Sequence, residues 1–168
     1  GCRSGCGGVG VVVWGGGIPG TAGGRRAGAR KICSTAAAYG IPPEDIVIDG
    51  LTLTVSSEPK AAVVTLETLR RVRDELGGHT ILGVSNVSFG LPRRDIINAN
   101  FFAMALEAGL SCAIINPLAA GMMGAWRSYC ALAGLDRQFS RSIGAYSGQH
   151  APPPLPASRP ALHLQPYL

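Results

Sequence analysis

Residues 46–86 of this chain read IVIDGLTLTVSSEPKAAVVTLETLRRVRDELGGHTILGVSN, and this stretch decides the fold class. Two short apolar runs, 46–48 and 81–84, stand at its ends. Such runs are typical of parallel strands that are covered on both faces. Between them, a cap and an early proline at 57–59 open a helix that stops at 77–78. The stretch predicts strand, helix, strand, and the helix carries one apolar stripe of Val63, Leu66, Leu69, Val72 and Leu76.

The same alternation continues on both sides of this stretch. Upstream, an apolar strand at 9–13 and a glycine turn at 15–17 precede an Ala- and Arg-rich helix at 21–38. Downstream, a strand at 112–115 follows a helix that Gly109 ends and whose apolar positions are Ile97, Phe101, Met104, Ala105 and Ala108. Four strand–helix units predict a parallel α/β sheet with right-handed crossovers. Periodicity leaves a doubly wound sheet and part of an eight-fold barrel both open.

Composition excludes several classes of protein. The chain has 168 residues, 46% of them apolar and 15% charged, which suits one α/β core. Its apolar runs are far shorter than the roughly 20 residues that span a bilayer, so no membrane passage is expected. The five cysteines are scattered without a CxxC pair, so we predict neither a disulfide framework nor a metal site. Cys112 lies in an apolar run and is predicted to be a core residue.

The net charge of +5 comes mainly from arginine and raises the question of nucleic-acid binding. One cluster lies at 25–30. The other, at 70–73, shares its helix with Glu67, Asp74 and Glu75, which favours a solvated face. We therefore expect no nucleic-acid partner. The chain starts Gly-Cys-Arg with no targeting signal, which indicates a cut end and a cytoplasmic location.

Polar residues end three successive predicted strands. They are Asp49, Asn86 and Asn116. In α/β barrels that end of the strands gathers substrate-binding and catalytic groups, although each residue alone could simply close a turn. Together they predict a site at one edge of the sheet. The glycines at 15–17 match no phosphate-binding motif and are interpreted as a turn.

Three segments resemble the pterin-binding family found in cobalamin-dependent methyltransferases of the methionine synthase type. They are 39–49 (YGIPPEDIVID), 82–92 (LGVSNVSFGLP) and 98–117, and the resemblance covers roughly 9–146. It implies a (β/α)8 TIM-barrel fold of which only about the last four β/α units are present. Residues 1–147 would form this partial pterin-binding barrel, and 148–168 a Pro-rich disordered tail.

The resemblance also implies a function. The chain would bind methyltetrahydrofolate so that its N5-methyl group passes to cob(I)alamin, held by another module or protein, on the way to homocysteine and methionine. Asp49 would accept hydrogen bonds from the pterin ring, and Asn86 would reach N5 as the catalytic residue. Arg94 would contact the substrate or brace its loop, Asn116 would bind substrate, and Asn98 would tie the next helix.

Departures from the family pattern leave alternatives open. Gly50 replaces a proline, several acidic residues before Glu44 are absent, and no counterpart of the first four units is present. Open sheet edges would then favour self-association and little activity in the isolated chain. The alternatives are a dihydropteroate synthase-like enzyme or an inactive half-barrel fragment. The sequence leaves homocysteine and a corrinoid protein both open as the final methyl acceptor.

Overall fold

The computed structural model describes residues 7–13 and 15–147, which form one four-stranded parallel sheet with helices packed on it. Short 3-10 turns cover 43–45, 84–88 and 137–139. The predicted tail at 148–168, together with Cys2 and Cys6, lies outside the described residues. The elements are β1 (Gly8–Val11), α1 (Ala22–Ala38), β2 (Ile46–Asp49), α2 (Ala61–Leu76), β3 (His79–Gly83), α3 (Arg94–Glu107), β4 (Cys112–Ile114), α4 (Ala120–Leu132) and α5 (Ser140–Tyr146).

The four strands lie in the sheet in chain order, β1-β2-β3-β4, and every neighbouring pair is parallel. Successive helices α1 to α4 pack against one another, so they cover the same face of the sheet. A doubly wound sheet would carry helices on both faces. The prediction of an α/β fold with four β/α units is confirmed. The arrangement is compatible with consecutive units of a (β/α)8 barrel.

The core lies between the sheet and the helices. In β2, Ile46 and Ile48 are buried against the helices, while Val47 and Asp49 are half-buried on the other face. One cluster joins Val12, Ala29 and Val72 to these isoleucines. The larger cluster fills the space between α2, β3, α3 and α4, and its bulkiest members are Leu66, Leu69, Leu82, Val84, Val87, Phe101, Phe102, Leu110 and Met122.

The sheet face opposite the helices is uncovered in the part of the chain that the structure describes. We call it the open face. Gly10 points toward Ile32 of α1, so its neighbours in β1 point the other way. The register of the sheet then places these residues on this face: Val9, Val11, Val47, Asp49, His79, Ile81, Gly83, Cys112 and Ile114.

The prediction that Cys112 is a core residue is wrong. Cys112 pairs with Ile81 and shares its face, so it lies exposed on the open face. Alternation in the strand decides this, because the neighbouring Ala113 turns toward the helices. The three cysteines of the described residues, Cys33, Cys112 and Cys130, are free.

Three further predictions are wrong. Two residues assigned to the apolar stripes of their helices do not face the core, and one helix begins later than predicted. Val63 is 66% exposed and Met104 is 53% exposed, on the outer surfaces of their helices. Helix α2 begins at Ala61 rather than at 57–59, because the Ser57 hydroxyl donates to the Thr54 carbonyl instead of capping the helix. Gly77 and Gly109 do end their helices with positive φ, as predicted.

Charged pairs cover the outer surface of α2. Arg71 binds Glu67 at 2.8 Å and Arg73 binds Asp74 at 2.6 Å, all largely in solvent. This arrangement agrees with the predicted solvated face. In residues 7–13 and 15–147, no helix is long and apolar enough to cross a membrane, and no cluster of three His, Cys, Asp or Glu side chains is placed to hold a metal ion.

Candidate functional site

The carboxyl ends of β2, β3 and β4 meet at one edge of the sheet because the strands are parallel. Asp49 is the last residue of β2, and Asn86 lies in the 3-10 turn that follows β3. Asn116 follows β4. All three predicted strand-end residues therefore lie at the same edge, which is the edge that carries substrate sites in α/β barrels.

Asp49 is half-buried and points to the open face. Its Oδ1 accepts a hydrogen bond from the Leu51 amide at 2.9 Å, and no described residue donates to its second oxygen. Leu51 adopts a left-handed conformation with φ 60°, which is strained for a residue with a branched side chain. Asp49 thus closes a tight turn with one of its two carboxylate oxygens.

Asn86 is exposed in the turn after β3. Its side-chain nitrogen lies 3.2 Å from the place that a Cβ on Gly83 would occupy. The missing side chain at Gly83 therefore leaves room for the amide to fold back over the end of the strand. This close approach is a reason for glycine at that position.

The loops after β2 and β3 are tied directly to each other. Thr54 and Ser56 each donate a side-chain hydrogen bond to the Phe89 carbonyl at 2.8 Å. The Val55 amide also donates to the Val87 carbonyl at 3.0 Å. Asp49 and Asn86 consequently lie on two linked neighbouring loops rather than on opposite rims of the sheet.

Arg94 and Asn98 brace the loop that carries Asn86, and they act through Ser88. The Ser88 hydroxyl is buried, donates to Asn98 Oδ1 at 2.6 Å and accepts from Arg94 Nε at 3.0 Å. Arg94 Nη2 donates to the Ser85 carbonyl at 2.8 Å, and its guanidinium lies 5.5 Å from the centre of the Phe89 ring. Two roles were predicted for Arg94, namely contact with the substrate or bracing of its loop. The observed hydrogen bonds of Arg94 are those of a brace.

Asn116 closes its own turn, with Oδ1 accepting from the Leu118 amide at 2.9 Å. It also lines a polar cleft of about 300 Å³ next to the linked loops. Arg94 lines the same cleft, whereas Asp49 and Asn86 do not. The structure therefore brings Arg94 and Asn116 together in this cleft, while Asp49 and Asn86 lie outside it at the same edge of the sheet. The cleft is completed by Ser85, Asp95, Asn98, Ala119, Gly121 and Met122.

Arg25 is a buried residue at this site to which the sequence assigned no role. It lies in α1 with 1% of its surface exposed, and its Nη1 donates to the Gly50 and Leu51 carbonyls. Burial lowers the pKa of the Arg25 guanidinium, and the nearby Asp49 carboxylate opposes that change. No local signal distinguishes Arg25 from Arg26 in the sequence, because only packing decides which of them is buried.

Residues 25–116, more than half of the chain, match the family described as "Pterin binding enzyme". The chain belongs to the pterin-binding enzyme family. The matched range lies inside 9–146, over which the sequence resembles that family. It also contains Arg25 and all four predicted site residues of this pterin-binding chain.

Two kinds of curated relative accompany the family match. The methylcorrinoid:tetrahydrofolate methyltransferase of Eubacterium limosum is 31% identical over 124 residues, which cover 72% of this pterin-binding chain and 45% of the relative. The methionine synthases of Mycobacterium tuberculosis (strain ATCC 25618 / H37Rv) and Mycobacterium leprae (strain TN) are each 34% identical over 85 residues, 46% of this chain and 7% of theirs. The chain thus spans less than half the length of the relatives that it matches.

Proposed function

We propose that this chain is the methyltetrahydrofolate-binding part of a methyltransferase that passes the N5-methyl group to cob(I)alamin. The observation that carries this proposal is the pair of linked loops, one following Asp49 and the other carrying Asn86, at the same carboxyl edge of the sheet. The relatives described above are named for methyl transfer between a folate and a corrinoid, or for methionine synthesis. Those names favour methyl transfer over a dihydropteroate synthase reaction.

Asp49 binds the pterin ring in this proposal. An ionised carboxylate only accepts hydrogen bonds, and the ring offers N–H and amino donors in one plane. The Leu51 amide occupies one oxygen of Asp49, so the second oxygen is the one directed at the ring. The position of Asp49 on the open face leaves that oxygen accessible.

Asn86 acts on N5, the leaving group of the methyl transfer. The departing nitrogen gains negative character unless a proton or a strong hydrogen bond reaches it. A side-chain amide donates through nitrogen and accepts through oxygen, so it can follow N5 through both states. A contact that strengthens as charge develops lowers the barrier to transfer.

Arg94 and Asn116 contact the substrate from the neighbouring cleft. Arg94 supplies a positive charge there, and its Nε and Nη2 are already engaged with the loop. The remaining nitrogen, Nη1, is the one that this proposal assigns to the part of the folate outside the ring. In this arrangement Arg94 binds substrate and fixes the loop of Asn86 at the same time.

Another module or protein holds the cobalamin in this proposal. The histidine of the described residues, His79, begins β3 and so lies at the opposite edge of the sheet from Asn86. The site therefore offers no imidazole to a corrinoid cobalt.

Homocysteine is the final methyl acceptor that we propose. The location that we propose is the cytoplasm, where free cysteines such as Cys33 persist.

Titration of the purified chain with methyltetrahydrofolate tests the folate site. We expect saturable binding that weakens roughly tenfold or more in Asp49→Ala, the size of one lost charge-assisted hydrogen bond. Asp45→Ala is the matched control, because Asp45 precedes β2 and lies at the opposite edge. Absence of saturable binding by the wild-type chain would support an inactive half-barrel and contradict the proposal.

The role of Asn86 needs a transfer assay. With cob(I)alamin supplied as acceptor in the presence of the cognate corrinoid module, Asn86→Ala should lower kcat more than it weakens folate binding. That split marks an interaction made mainly in the transition state. An equal loss in both quantities would leave Asn86 as a binding residue only. The isolated chain without that module should show little turnover.

A further inference from the structure

The Arg25 guanidinium connects three parts of the chain around the Asp49 turn. Its Nη1 donates to the Gly50 carbonyl at 2.9 Å and to the Leu51 carbonyl at 2.6 Å, with a longer 3.3 Å contact to Thr65 Oγ1. Its Nε donates to the Pro19 carbonyl at 3.0 Å. A single side chain from α1 thus reaches the two residues that directly follow Asp49.

A buried cation needs compensation for its lost hydration, and here backbone carbonyls provide most of it. No carboxylate forms a salt bridge with Arg25 among the described residues. Two of the acceptors are carbonyls of the turn, beside the Pro19 carbonyl and the Thr65 hydroxyl. The negative charge that acts on Arg25 belongs to Asp49. The position of the guanidinium and the shape of the turn therefore depend on each other.

Leu51 is the residue of the turn that the Arg25 guanidinium and the Thr65 hydroxyl hold together. Its φ of 60° is unfavourable for leucine and persists only where the surroundings fix it. Its carbonyl accepts from both Arg25 and the Thr65 hydroxyl, the latter at 2.9 Å. Its amide donates to Asp49 Oδ1. Release of the carbonyl would let the backbone relax and would turn the amide away from Asp49.

We infer that Arg25 is a positioning residue for Asp49: it holds Leu51 in the strained turn that directs the second carboxylate oxygen toward the folate ring. This inference rests on the proposed function for its link to folate. Lysine cannot replace Arg25 in this role, because one ammonium group cannot reach Pro19 and the turn carbonyls in the fixed fork geometry of a guanidinium.

Two measurements on the full chain test the inference. The first is hydrogen exchange of the Leu51 amide, and the second is methyltetrahydrofolate affinity. In Arg25→Lys we expect lost protection of Leu51 and an affinity roughly tenfold lower. Thr65→Val removes the other donor to Leu51 and should change both readouts in the same direction with less risk to folding. Arg26→Met is the control, since Arg26 pairs with Glu75 instead of the turn.

A double substitution separates positioning from a general loss of stability. If Arg25 acts through Asp49, Arg25→Lys should not weaken folate binding further in an Asp49→Ala background. A purely structural role would weaken binding equally in both backgrounds and would overturn the inference. So would a folded Arg25→Lys chain with wild-type Leu51 exchange and wild-type affinity. Failure of the wild-type chain to bind folate would instead defeat the proposed function, and this inference with it.

Discussion

At the scale of single residues, the Ser88 hydroxyl is the junction that fixes the loop carrying Asn86. It is fully buried and joins Arg94 to Asn98 through one short and one ordinary hydrogen bond. Ser88→Ala would leave Asn98 Oδ1 without this donor and Arg94 Nε without this acceptor. Arg94 is exposed and Asn98 is half-buried, so water partly replaces the two lost hydrogen bonds, and each is worth about 0.5–1.5 kcal/mol.

Ser88→Ala is therefore expected to lower the free energy of unfolding by about 1–3 kcal/mol, measured by urea denaturation. Ser85→Ala is the control from the same turn, because only the Ser85 backbone carbonyl takes part in the network. Equal stability of the two variants would show that the hydroxyl does not hold the loop.

The residue scale also shows what the sequence could and could not predict. The positions of Asp49 and Asn86 at the carboxyl edge could be predicted, because strand ends are visible in the hydrophobic pattern. The burial of Arg25 could not be predicted, because Arg26 is chemically identical and adjacent, and only α1 packing buries one of them. The hydrogen bond between Ser88 and Asn98 depends on the direction in which α3 starts from the preceding loop. No local sequence pattern predicts that direction.

At the scale of elements, the end of α3 depends on a glycine for two reasons. Gly109 has a φ of 103°, and a Cβ added there would lie 2.7 Å from Arg73 Cδ on α2. Gly134, which follows α4, has a φ of 71° with no atom near an added Cβ. Substitution at these two positions therefore separates the energetic cost of backbone strain from the cost of crowding.

Gly109→Ala is expected to destabilise the chain by roughly 2 kcal/mol or more, from strain and crowding together. Gly134→Ala carries the strain alone and should cost about 1 kcal/mol. Chemical denaturation of both variants measures the difference. The prediction fails if Gly134→Ala is as destabilising as Gly109→Ala.

The start of α5 depends on a carboxylate and should therefore respond to pH. Asp136 accepts hydrogen bonds from the amides of Arg141 and Ser142 and from the Ser142 hydroxyl. Burial tends to raise the pKa of Asp136, but the bonds from Ser142 and Arg141 outweigh it and the pKa is lowered. A lowered pKa in the folded state means that protonation favours unfolding.

The stabilisation from Asp136 should be complete above the ordinary aspartate pKa of about 3.9 and be lost as the pH falls through the lower folded-state value. Hydrogen exchange of the Arg141 amide, followed as the pH falls, measures this loss after correction for the intrinsic exchange rate. Asp136→Asn keeps the shape but does not titrate, so its protection should be weaker and independent of pH. A wild-type profile parallel to that of Asp136→Asn would contradict the prediction.

Whether a segment forms a strand or a helix was easier to predict than which of its residues face solvent. The four strands and the three helices between them follow from runs of apolar residues and from composition and helical spacing. Val63 and Met104 were misassigned because both are apolar and near the stripe, yet they point outward. Cys112 was misassigned because alternation within a three-residue strand cannot be judged without the register of its neighbour.

At the scale of the whole molecule, sequential strand order and helices on one face leave the open face without a cover in the described residues. The sequence predicted the alternation of strands and helices, and the structure supplies the order that periodicity could not. The same geometry that leaves Asp49 on the open face also exposes aliphatic side chains beside it. In the proposed function, substrate access and a surface prone to association therefore arise from one feature.

This open face should make the chain self-associate in a concentration-dependent way, because β1 and β4 each have an unpaired edge within the described residues. Val9 is 61% exposed on one edge strand and Ile114 is 64% exposed on the other. The double substitution Val9→Lys with Ile114→Lys places a charge at each edge, and it should shift the chain toward monomer in sedimentation velocity runs at several concentrations. Val63→Lys is the matched control, since Val63 is 66% exposed on α2 and lies outside the open face. A wild-type chain that stays monomeric up to its solubility limit would contradict the prediction, and so would equal dissociation by the control.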